Sequence, residues 1–303
     1  MYLTKFSLST NSSSLYYSPS IISRSVILLM ELIVFDLDGT LLTRDSRLSL
    51  YTQETLSLLA QRNIAYTVAT GRALHGSMDI LQGQGFTLPQ IYKNGAMVWH
   101  PQRKNYTHKH VLTKGEIEKV LNTFITQDVA PFIYTLEGDN SDAVYHPPLV
   151  SETEKKWLYE LGTKRGLATF PLSELSSNAV ITNISALGPQ AVIESVRDLV
   201  GAEEDHLVAY MGLGIINSDI CWIDIHHTRG SKGGAVSALK LDLGVERVIC
   251  FGDSDNDLSM FAAADEAYAP DNAKDEVKDV ATQIIGHHDE DGIARFLRQR
   301  FSL

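Results

Sequence analysis

Short apolar runs alternate with stretches of helical spacing along most of this chain. Residues 32–35 form an unbroken apolar run, which is typical of a strand buried on both faces of a parallel sheet. Similar runs occur at residues 64–69 and Arg247–Phe251, and Leu56 and Leu59 show helical spacing between two of them. The alternation predicts an α/β fold that is doubly wound around a mainly parallel, Rossmann-like core sheet.

The middle of the chain has a different pattern. Helices are predicted at residues 114–126, 151–165 and 189–200, and strands at residues 131–136, 179–187 and 207–211. Such a mixture predicts an inserted α+β domain. We therefore expect a core formed by residues 30–112 and 221–303 and an insert formed by residues 113–220, with hinges near residues 111–113 and 220–224.

The first 29 residues differ from the rest of the chain. They contain nine serines and no Asp or Glu, and Lys5 and Arg24 are their only charged residues. The apolar run at residues 26–30 is too short to span a bilayer. We interpret residues 1–29 as an N-terminal extension outside the fold, either disordered or the result of a start codon assigned too early.

Composition narrows the possible partners. The 303 residues carry a formal net charge of −11, which argues against a broad basic surface for nucleic acid or for an anionic membrane. Cys221 and Cys250 are far apart and fit neither a disulfide framework nor a zinc motif. The expectation is a cytoplasmic protein that binds neither nucleic acid nor membrane.

Two carboxylates directly follow the first predicted strand. Asp36 and Asp38 lie at the carboxyl end of that strand, where α/β folds bind ligands, and Gly39 allows a sharp turn. Neighbouring acids repel each other unless a cation lies between them or one is protonated, so this pattern indicates a metal site or a paired acid and nucleophile. A capped strand end is the alternative, because Asp and Gly are also common turn residues.

Two further strand ends and one helix start carry polar residues that suit a phosphate. Thr70, Gly71 and Arg72 follow the second strand, where exposed backbone N–H groups precede a helix. Lys232 lies in the first turn of a predicted helix, where the dipole disfavours a cation unless an anion, either a phosphate or the carboxylates of Asp36 and Asp253, is nearby. A solvated surface lysine is the alternative.

The strand at Arg247–Phe251 is followed by the acidic sequence GDSDND at residues 252–257. It does not fit an EF-hand, because Leu258 replaces the glycine and Ala264 the glutamate that the calcium loop needs. The histidine pairs at residues 226–227 and 287–288 are interpreted as solvated or turn residues, since zinc needs further ligands at suitable spacing.

These motifs together resemble the haloacid dehalogenase superfamily of phosphohydrolases, and specifically its Cof-type branch with a large α/β cap. The motifs are DLDGTLL at 36–42, TGR at 70–72, the lysine at 232 and GDSDND at 252–257, in the order of that family. The likeness covers residues 31–303.

The resemblance implies a role for each motif. Asp36 is expected to attack phosphorus and form an aspartyl-phosphate, and Asp38 to act as general acid and base. Magnesium is expected on the Asp36 carboxylate, the Asp38 main-chain carbonyl, Asp253 and Asp257. The transferring phosphoryl group is expected on Thr70, Gly71, Lys232 and Asn256.

The expected function is therefore a Mg²⁺-dependent phosphatase acting on a small phosphorylated metabolite. An acid at position 38 favours phosphatases and phosphomutases over ion pumps, which carry threonine there. A phosphomutase on the same core is the alternative. A non-catalytic sensor of phosphorylated metabolites is expected to lack Asp36 or Asp38, and this chain has both. The insert is expected to close over the site as a cap and to select the substrate.

Overall fold

A computed structural model describes residues 31–138, 141–203, 206–213 and 220–303, so the predicted extension at residues 1–29 lies outside the described residues. The described strands are β1 (Glu31–Phe35), β2 (Ala65–Val68), β3 (Gln90–Tyr92), β4 (Met97–His100), β5 (Asn105–Lys109), β6 (Phe132–Leu136), β7 (Asp142–His146), β8 (Ala168–Pro171), β9 (Val180–Pro189), β10 (Leu207–Leu213), β11 (Ile220–His227), β12 (Arg247–Phe251), β13 (Glu266–Pro270) and β14 (Gln283–Ile285).

The helices alternate with these strands in the core and are interspersed with them in the middle of the chain. They are α1 (Leu50–Gln61), α2 (Met78–Leu81), α3 (Lys114–Thr126), α4 (Glu152–Tyr159), α5 (Gln190–Glu203), α6 (Lys232–Leu243), α7 (Leu258–Ala263), α8 (Asp275–Val280) and α9 (Gly292–Phe301).

Five parallel strands form the core sheet in the order β14-β13-β12-β1-β2. Successive side chains of β1 face opposite layers, because strand side chains alternate. Leu32 and Val34 pack with the layer that contains α6 and α7, whereas Ile33 and Phe35 pack with the layer that contains α1 and α9. Burial on both faces explains the unbroken apolar run and confirms the predicted doubly wound α/β fold.

A hairpin at the edge of this sheet reaches toward the start of α6. Strands β3 and β4 pair antiparallel around the turn Lys93–Gly95, as the Asn-Gly sequence favours. A Cβ atom on Gly95, whose φ is +105°, would lie 2.2 Å from the carbonyl oxygen of Ser231. Glycine is therefore required for the close approach of this turn to the loop before α6.

The inserted unit is a six-stranded sheet with helices packed on it. Its strand order is β10-β11-β9-β6-β7-β8, and all neighbours are antiparallel except β7 and β8. Helices α3 and α5 cover one face, where Ile117 and Val196 pack with Ile184 and Ile223. The other face packs in part against Trp157 of α4. Helix α3 begins as predicted, because Thr113 caps it in a reciprocal pair with Glu116.

The boundary between the two units lies later in the sequence than we predicted. Strand β11 pairs with β9 and β10 as far as His227, so the residues interpreted as a hinge and the start of the core belong to the insert sheet. In this strand the fully buried Cys221, Ile223 and Ile225 alternate with the partly buried Trp222 and Asp224. Six strands were not predicted, namely β5, β7, β8, β11, β13 and β14.

A pair of helical glycines allows a test of the packing around α6. Gly233 is the second residue of α6, and a Cβ atom there would lie 2.0 Å from the carbonyl oxygen of Ser259. Gly115 is the second residue of α3, and its Cβ would meet nothing within 4 Å. We expect Gly233→Ala to destabilise the fold by about 1–3 kcal/mol, because a backbone atom must move.

The matched variant Gly115→Ala should instead stabilise the protein by about 0.4–1 kcal/mol, because the unfolded chain loses conformational freedom without a clash. Urea denaturation of both variants measures the two free energies. Equal effects of the two substitutions would contradict the close approach of α6 to Ser259.

Candidate active site

The paired strands β1 and β12 bring the acidic motifs to one edge of the core sheet. Phe35 and Phe251 are register partners, so the residues that follow them are neighbours. Asp36 donates its N–H to the carbonyl of Phe251 at 2.9 Å. One carboxylate oxygen each of Asp36, Asp253 and Asp257 lies within 4.8 Å of the others. Three acids predicted as metal ligands are thus held together.

Tight local geometry fixes Asp253 and Asp257. The hydroxyl of Thr40 donates to Asp253 Oδ1 at 2.7 Å. Asp257 Oδ2 accepts hydrogen bonds from the backbone N–H groups of Asp253 at 2.9 Å and of Ser254 at 3.0 Å. These bonds tie the carboxylate to the start of the loop that carries it. A Cβ on Gly252 would lie 2.5 Å from Asp257 Cγ, which explains the glycine at the head of this motif.

Lys232 is the cation of this group. Its side chain is fully buried, and Nζ lies 2.6 Å from both Asp36 Oδ1 and Asp257 Oδ1. Lys232 therefore forms a buried ion pair with Asp36 and Asp257, and the alternative of a solvated surface lysine is wrong. The prediction of a carboxylate partner holds for Asp36, but the second partner is Asp257, whereas we expected Asp253.

Burial and repulsion by neighbouring acids raise the pKa values of Asp36 and Asp253. Burial raises the pKa of Asp36 well above its usual range, Lys232 opposes this, and Asp257 and Asp253 raise it further. Burial together with the charge of Asp257 raises the pKa of Asp253 to about 6. Burial alone would lower the pKa of Lys232, but Asp257 and Asp36 outweigh it and raise that pKa.

The group suits a divalent cation. Three carboxylates share one ammonium group, which leaves a formal charge of −2 in a buried place. All the ligand atoms that the triad offers to a metal are carboxylate oxygens, and Mg²⁺ prefers oxygen ligands. A divalent ion would compensate this excess negative charge.

This excess charge predicts an unusual pH dependence in the metal-free protein. Between about pH 4 and pH 6 the folded state holds protons on Asp253 that the unfolded chain has released, so stability falls as pH rises through this range. The raised pKa of Asp36 acts with the same sign. For Asp253 the loss between pH 4 and pH 7 is up to about 3 kcal/mol.

Urea titrations in EDTA, with Asp253→Asn as the reference, isolate this contribution. Relative to the variant, the wild type should lose stability from pH 4 to pH 7, and millimolar Mg²⁺ should restore it at pH 7. The exposed Asp255→Asn is a control that should leave the wild-type pH profile unchanged. Parallel profiles for the wild type and Asp253→Asn would contradict the raised pKa.

Asp38 takes a different position from the other acids. Its side chain is 53% exposed, and Arg72 holds it through Nε to Oδ2 at 2.7 Å and Nη2 to Oδ1 at 2.5 Å. The Asp38 side chain is not part of the buried triad, and its main-chain carbonyl stays a predicted metal ligand. Arg72 was noted in the TGR motif, but its pairing with Asp38 was not predicted.

The other predicted phosphate-binding residues surround the triad on neighbouring loops. Thr70 is buried after β2, and its hydroxyl accepts the N–H of Arg72 at 3.1 Å. A Cβ on Gly71 would lie 3.0 Å from Asn94 Oδ1. Asn256 donates from Nδ2 to the same Asn94 oxygen at 2.8 Å. The hairpin turn with Asn94 therefore connects the TGR and GDSDND motifs.

One of the histidine interpretations is wrong. His226 is fully buried in β11, and its Nε2 lies 2.8 Å from Asp224 Oδ2 and 3.1 Å from Asn94 Nδ2. The strand alternation of residues 222, 224 and 226 could have placed His226 on the face of Asp224. His287 is a turn residue as expected, since its Nδ1 accepts the N–H of Asp289 at 3.1 Å.

A cavity of about 770 Å³ separates the core loops from the insert sheet. Asp38, Gly71 and Arg72 line it on the core side. On the insert side the lining includes aromatic rings and cations, namely Tyr134, Trp157, Trp222, Lys164 and Arg165. The volume suits a small molecule, with room for a phosphate beside the core loops and an organic group beside the insert.

Comparison with known proteins assigns this arrangement to a family. The model of the haloacid dehalogenase-like hydrolases matches residues 33–297. The chain belongs to that family. The prediction from the four motifs is therefore confirmed, as is the prediction of a hydrolase.

Relatives cover almost the whole chain. A 5-amino-6-(5-phospho-D-ribitylamino)uracil phosphatase of Bacillus subtilis, YitU, is 28% identical over 90% of this chain and 98% of its own length. The HMP-PP phosphatase of Serratia proteamaculans is 27% identical over 88% of this chain and 94% of its own. The solved sugar phosphatase BT4131, of subclass IIB of the superfamily, has a TM-score of 0.71 at 20% identity and covers 90% of this chain and 99% of its own.

Two further observations concern the cysteines and the apolar character of the helices. Cys221 and Cys250 are both free and buried. Within the described ranges, no helix combines the length and the apolar character that crossing a membrane requires.

Proposed function

We propose that this chain is a Mg²⁺-dependent phosphatase that hydrolyses small phosphorylated metabolites through an aspartyl-phosphate on Asp36. The observation that carries the proposal is the buried group of Asp36, Asp253 and Asp257 with a single lysine among them. Family membership and the names of the relatives support the reaction class.

In the proposed reaction Asp36 is the nucleophile. Its backbone is anchored to β12, and Lys232 holds one carboxylate oxygen. The second oxygen is then the atom that attacks phosphorus, and covalent catalysis divides one difficult displacement into two easier steps. Mg²⁺ held by Asp36, Asp253, Asp257 and the main-chain carbonyl of Asp38 would supply charge neutralisation for the phosphoryl oxygens.

Asp38 is the proposed general acid and base. It protonates the leaving alcohol and then takes a proton from the water that hydrolyses the aspartyl-phosphate. Its carboxylate is about half exposed, so the side chain can turn toward the substrate when it gives up its contact with Arg72. Arg72 also provides a cation beside the entrance of the cavity.

Thr70, Gly71, Lys232 and Asn256 are the proposed contacts of the transferring phosphoryl group. Lys232 contributes charge, Thr70 and Asn256 contribute polar side chains, and the N–H after the strand end at Gly71 suits a phosphate. A Cβ atom on Gly71 would lie 3.0 Å from Asn94 Oδ1, so a larger residue there would displace the Asn94 side chain.

The insert is the proposed cap. Its sheet face carries Trp222 and Asn183 into the cavity, opposite Asp38 and Gly71 on the core. A leaving group held between them would be shielded from bulk water, which strengthens the electrostatic interactions in the site. The two relatives act on different phosphorylated compounds, so the substrate of this chain is set by its own cap residues.

Phosphate release from a panel of phosphomonoesters tests the proposal. We expect release from at least one sugar, nucleotide or cofactor phosphate in Mg²⁺ and none in EDTA. Acid quenching during turnover of a ³²P-labelled substrate should trap phosphate on the protein. No release from any ester in the panel, or release that persists in EDTA, would overturn it.

A further inference from the structure

A chain of polar contacts joins the insert to the GDSDND loop. His226, at the end of β11, lies 2.8 Å from Asp224 and 3.1 Å from the side-chain amide of Asn94. The same amide lies 2.8 Å from the amide of Asn256. Both contacts of His226 are made by the one atom Nε2. Whether His226 Nε2 carries a proton therefore decides how the side-chain amides of Asn94 and Asn256 are oriented.

Asp224 fixes the state of the histidine. A carboxylate offers only lone pairs, so the ring nitrogen 2.8 Å from Asp224 Oδ2 must carry the proton. Asn183 donates to the other oxygen of Asp224 at 2.7 Å, which holds the carboxylate in place. Within the described residues His226 Nδ1 has no hydrogen-bond partner, and an unpaired acceptor is tolerated better there than an unpaired N–H.

The protonated nitrogen conflicts with the present orientation of two amides. Asn94 turns its Nδ2 toward His226 Nε2, so two donors face each other at 3.1 Å. Asn256 Nδ2 donates to Asn94 Oδ1, and its own Oδ1 is buried without a partner among the residues that the structure describes. A buried acceptor without a partner costs about 1–3 kcal/mol, so this arrangement carries two unfavourable features.

Rotation of both amides about χ2 removes the contact between two donors and gives Asn256 Oδ1 a partner, and it leaves an Asn256 N–H that an anion can satisfy. Asn94 Oδ1 then shares the one Nε2–H of His226 with Asp224 Oδ2, Asn94 Nδ2 donates to Asn256 Oδ1, and no backbone atom moves. The Nδ2 of Asn256 takes the place of the partnerless oxygen. Asn256 thereby offers a buried N–H donor, which is what binding of an anion requires.

We propose that His226 is a positioning residue whose Nε2–H, fixed by Asp224, orients the amides of Asn94 and Asn256 so that Asn256 presents an N–H to the transferring phosphoryl group. The proposal rests on the proposed function of Asn256. It assigns a role in the reaction to a residue of the insert, whose link to Asn256 runs through Asn94 of the hairpin turn.

Three substitutions of His226 distinguish the effect of losing the donated proton from the effect of losing the ring's volume. The amide nitrogen of Gln lies as many bonds from Cα as Nε2, so His226→Gln keeps a donor toward Asn94. The amide of Asn reaches only the place of Nδ1, and Leu has no donor. We expect His226→Asn and His226→Leu to lower kcat/KM by about 10-fold or more, and His226→Gln to stay within about threefold of wild type.

A double-mutant cycle with Asn256→Ala tests whether the effect passes through Asn256. If it does, His226→Leu should lower kcat/KM in the wild type but not further in Asn256→Ala. Rates are expressed per folded molecule, with the folded fraction taken from circular dichroism. Equal losses in both backgrounds, or loss of activity in His226→Gln equal to that in His226→Leu, would overturn the proposal.

The position of the proton can be measured without turnover. Long-range ¹H–¹⁵N spectra of protein labelled with ¹⁵N-histidine distinguish a proton on Nε2 from one on Nδ1, and the His226 signals are those absent from His226→Gln. We expect the proton on Nε2, and a proton on Nδ1 alone would overturn the inference. Failure of the proposed function is seen separately, as no phosphate release by the wild type.

Discussion

Asp36→Asn should remove nearly all turnover while leaving the fold intact. An amide is neither a nucleophile toward phosphorus nor a good ligand of Mg²⁺, so we expect kcat to fall by at least about 10³-fold. The folded protein should tolerate the change, because Lys232 keeps its contact with Asp257. Without metal at pH 7 the variant should melt no lower than wild type, since the charged form of Asp36 is disfavoured by burial.

Asp255→Asn is a matched control for this experiment. Asp255 lies in the GDSDND motif, but its carboxylate is exposed and paired with Lys274. Its replacement should change kcat by less than about twofold and stability by less than about 0.5 kcal/mol. If Asp36→Asn retained substantial phosphatase activity, Asp36 would not be the nucleophile and the proposed intermediate would be wrong.

The core was predictable because its strands leave a simple signal. The unbroken apolar run before Asp36 and the run of β12 each end at a polar motif, and parallel strands meet at one edge of the sheet. Which acids meet there follows from the register of β1 and β12. The register explains why the residues of the buried triad meet, whereas their roles were predicted from the family resemblance.

The insert was less predictable because its strands are short, partly exposed or interrupted. Strand β8 has no fully buried residue, and β7 begins at the polar residue Asp142. Strand β11 alternates apolar and polar residues, and this alternation was interpreted as a hinge. Burial of only one face leaves a pattern that other structures can also produce.

Side-chain partners within the site depended on turns that a sequence pattern does not define. The choice of Asp257 over Asp253 as the second partner of Lys232 depends on the tight turn Asp255–Asp257, which folds the last acid back onto the loop. The pairing of Arg72 with Asp38 and of His226 with Asn94 joins loops far apart in the sequence.

Replacement of Lys232 is the second substitution with a large expected effect. The structure changes the effect that we expect on stability. From sequence, a substitution of this lysine should affect the rate and leave stability nearly unchanged. Its full burial between Asp36 and Asp257 indicates that both should fall. Removal of one partner from a buried ion pair typically costs about 3–5 kcal/mol, because the other charges are left uncompensated.

Lys232→Met at pH 7 in EDTA should therefore lose several kcal/mol of unfolding free energy, whereas the exposed Lys274→Met should change by less than about 0.5 kcal/mol. Two conditions should restore part of the loss. Mg²⁺ replaces the missing positive charge, and acid protonates the carboxylates whose pKa values burial raises, so stability should increase as pH falls toward 5.

The rate should not recover with stability. At saturating Mg²⁺ we expect the folded Lys232→Met protein to show a kcat/KM lower by about 10²-fold or more, the scale seen when one donor to a transition state is removed. Urea titrations and initial rates on the same preparations measure both quantities. The contradicting outcome is that Mg²⁺ restores stability and the restored protein turns over at the wild-type rate. The ammonium group would then serve only to balance the charge of the carboxylates when no metal is bound, and its proposed contact with the phosphoryl group would be wrong.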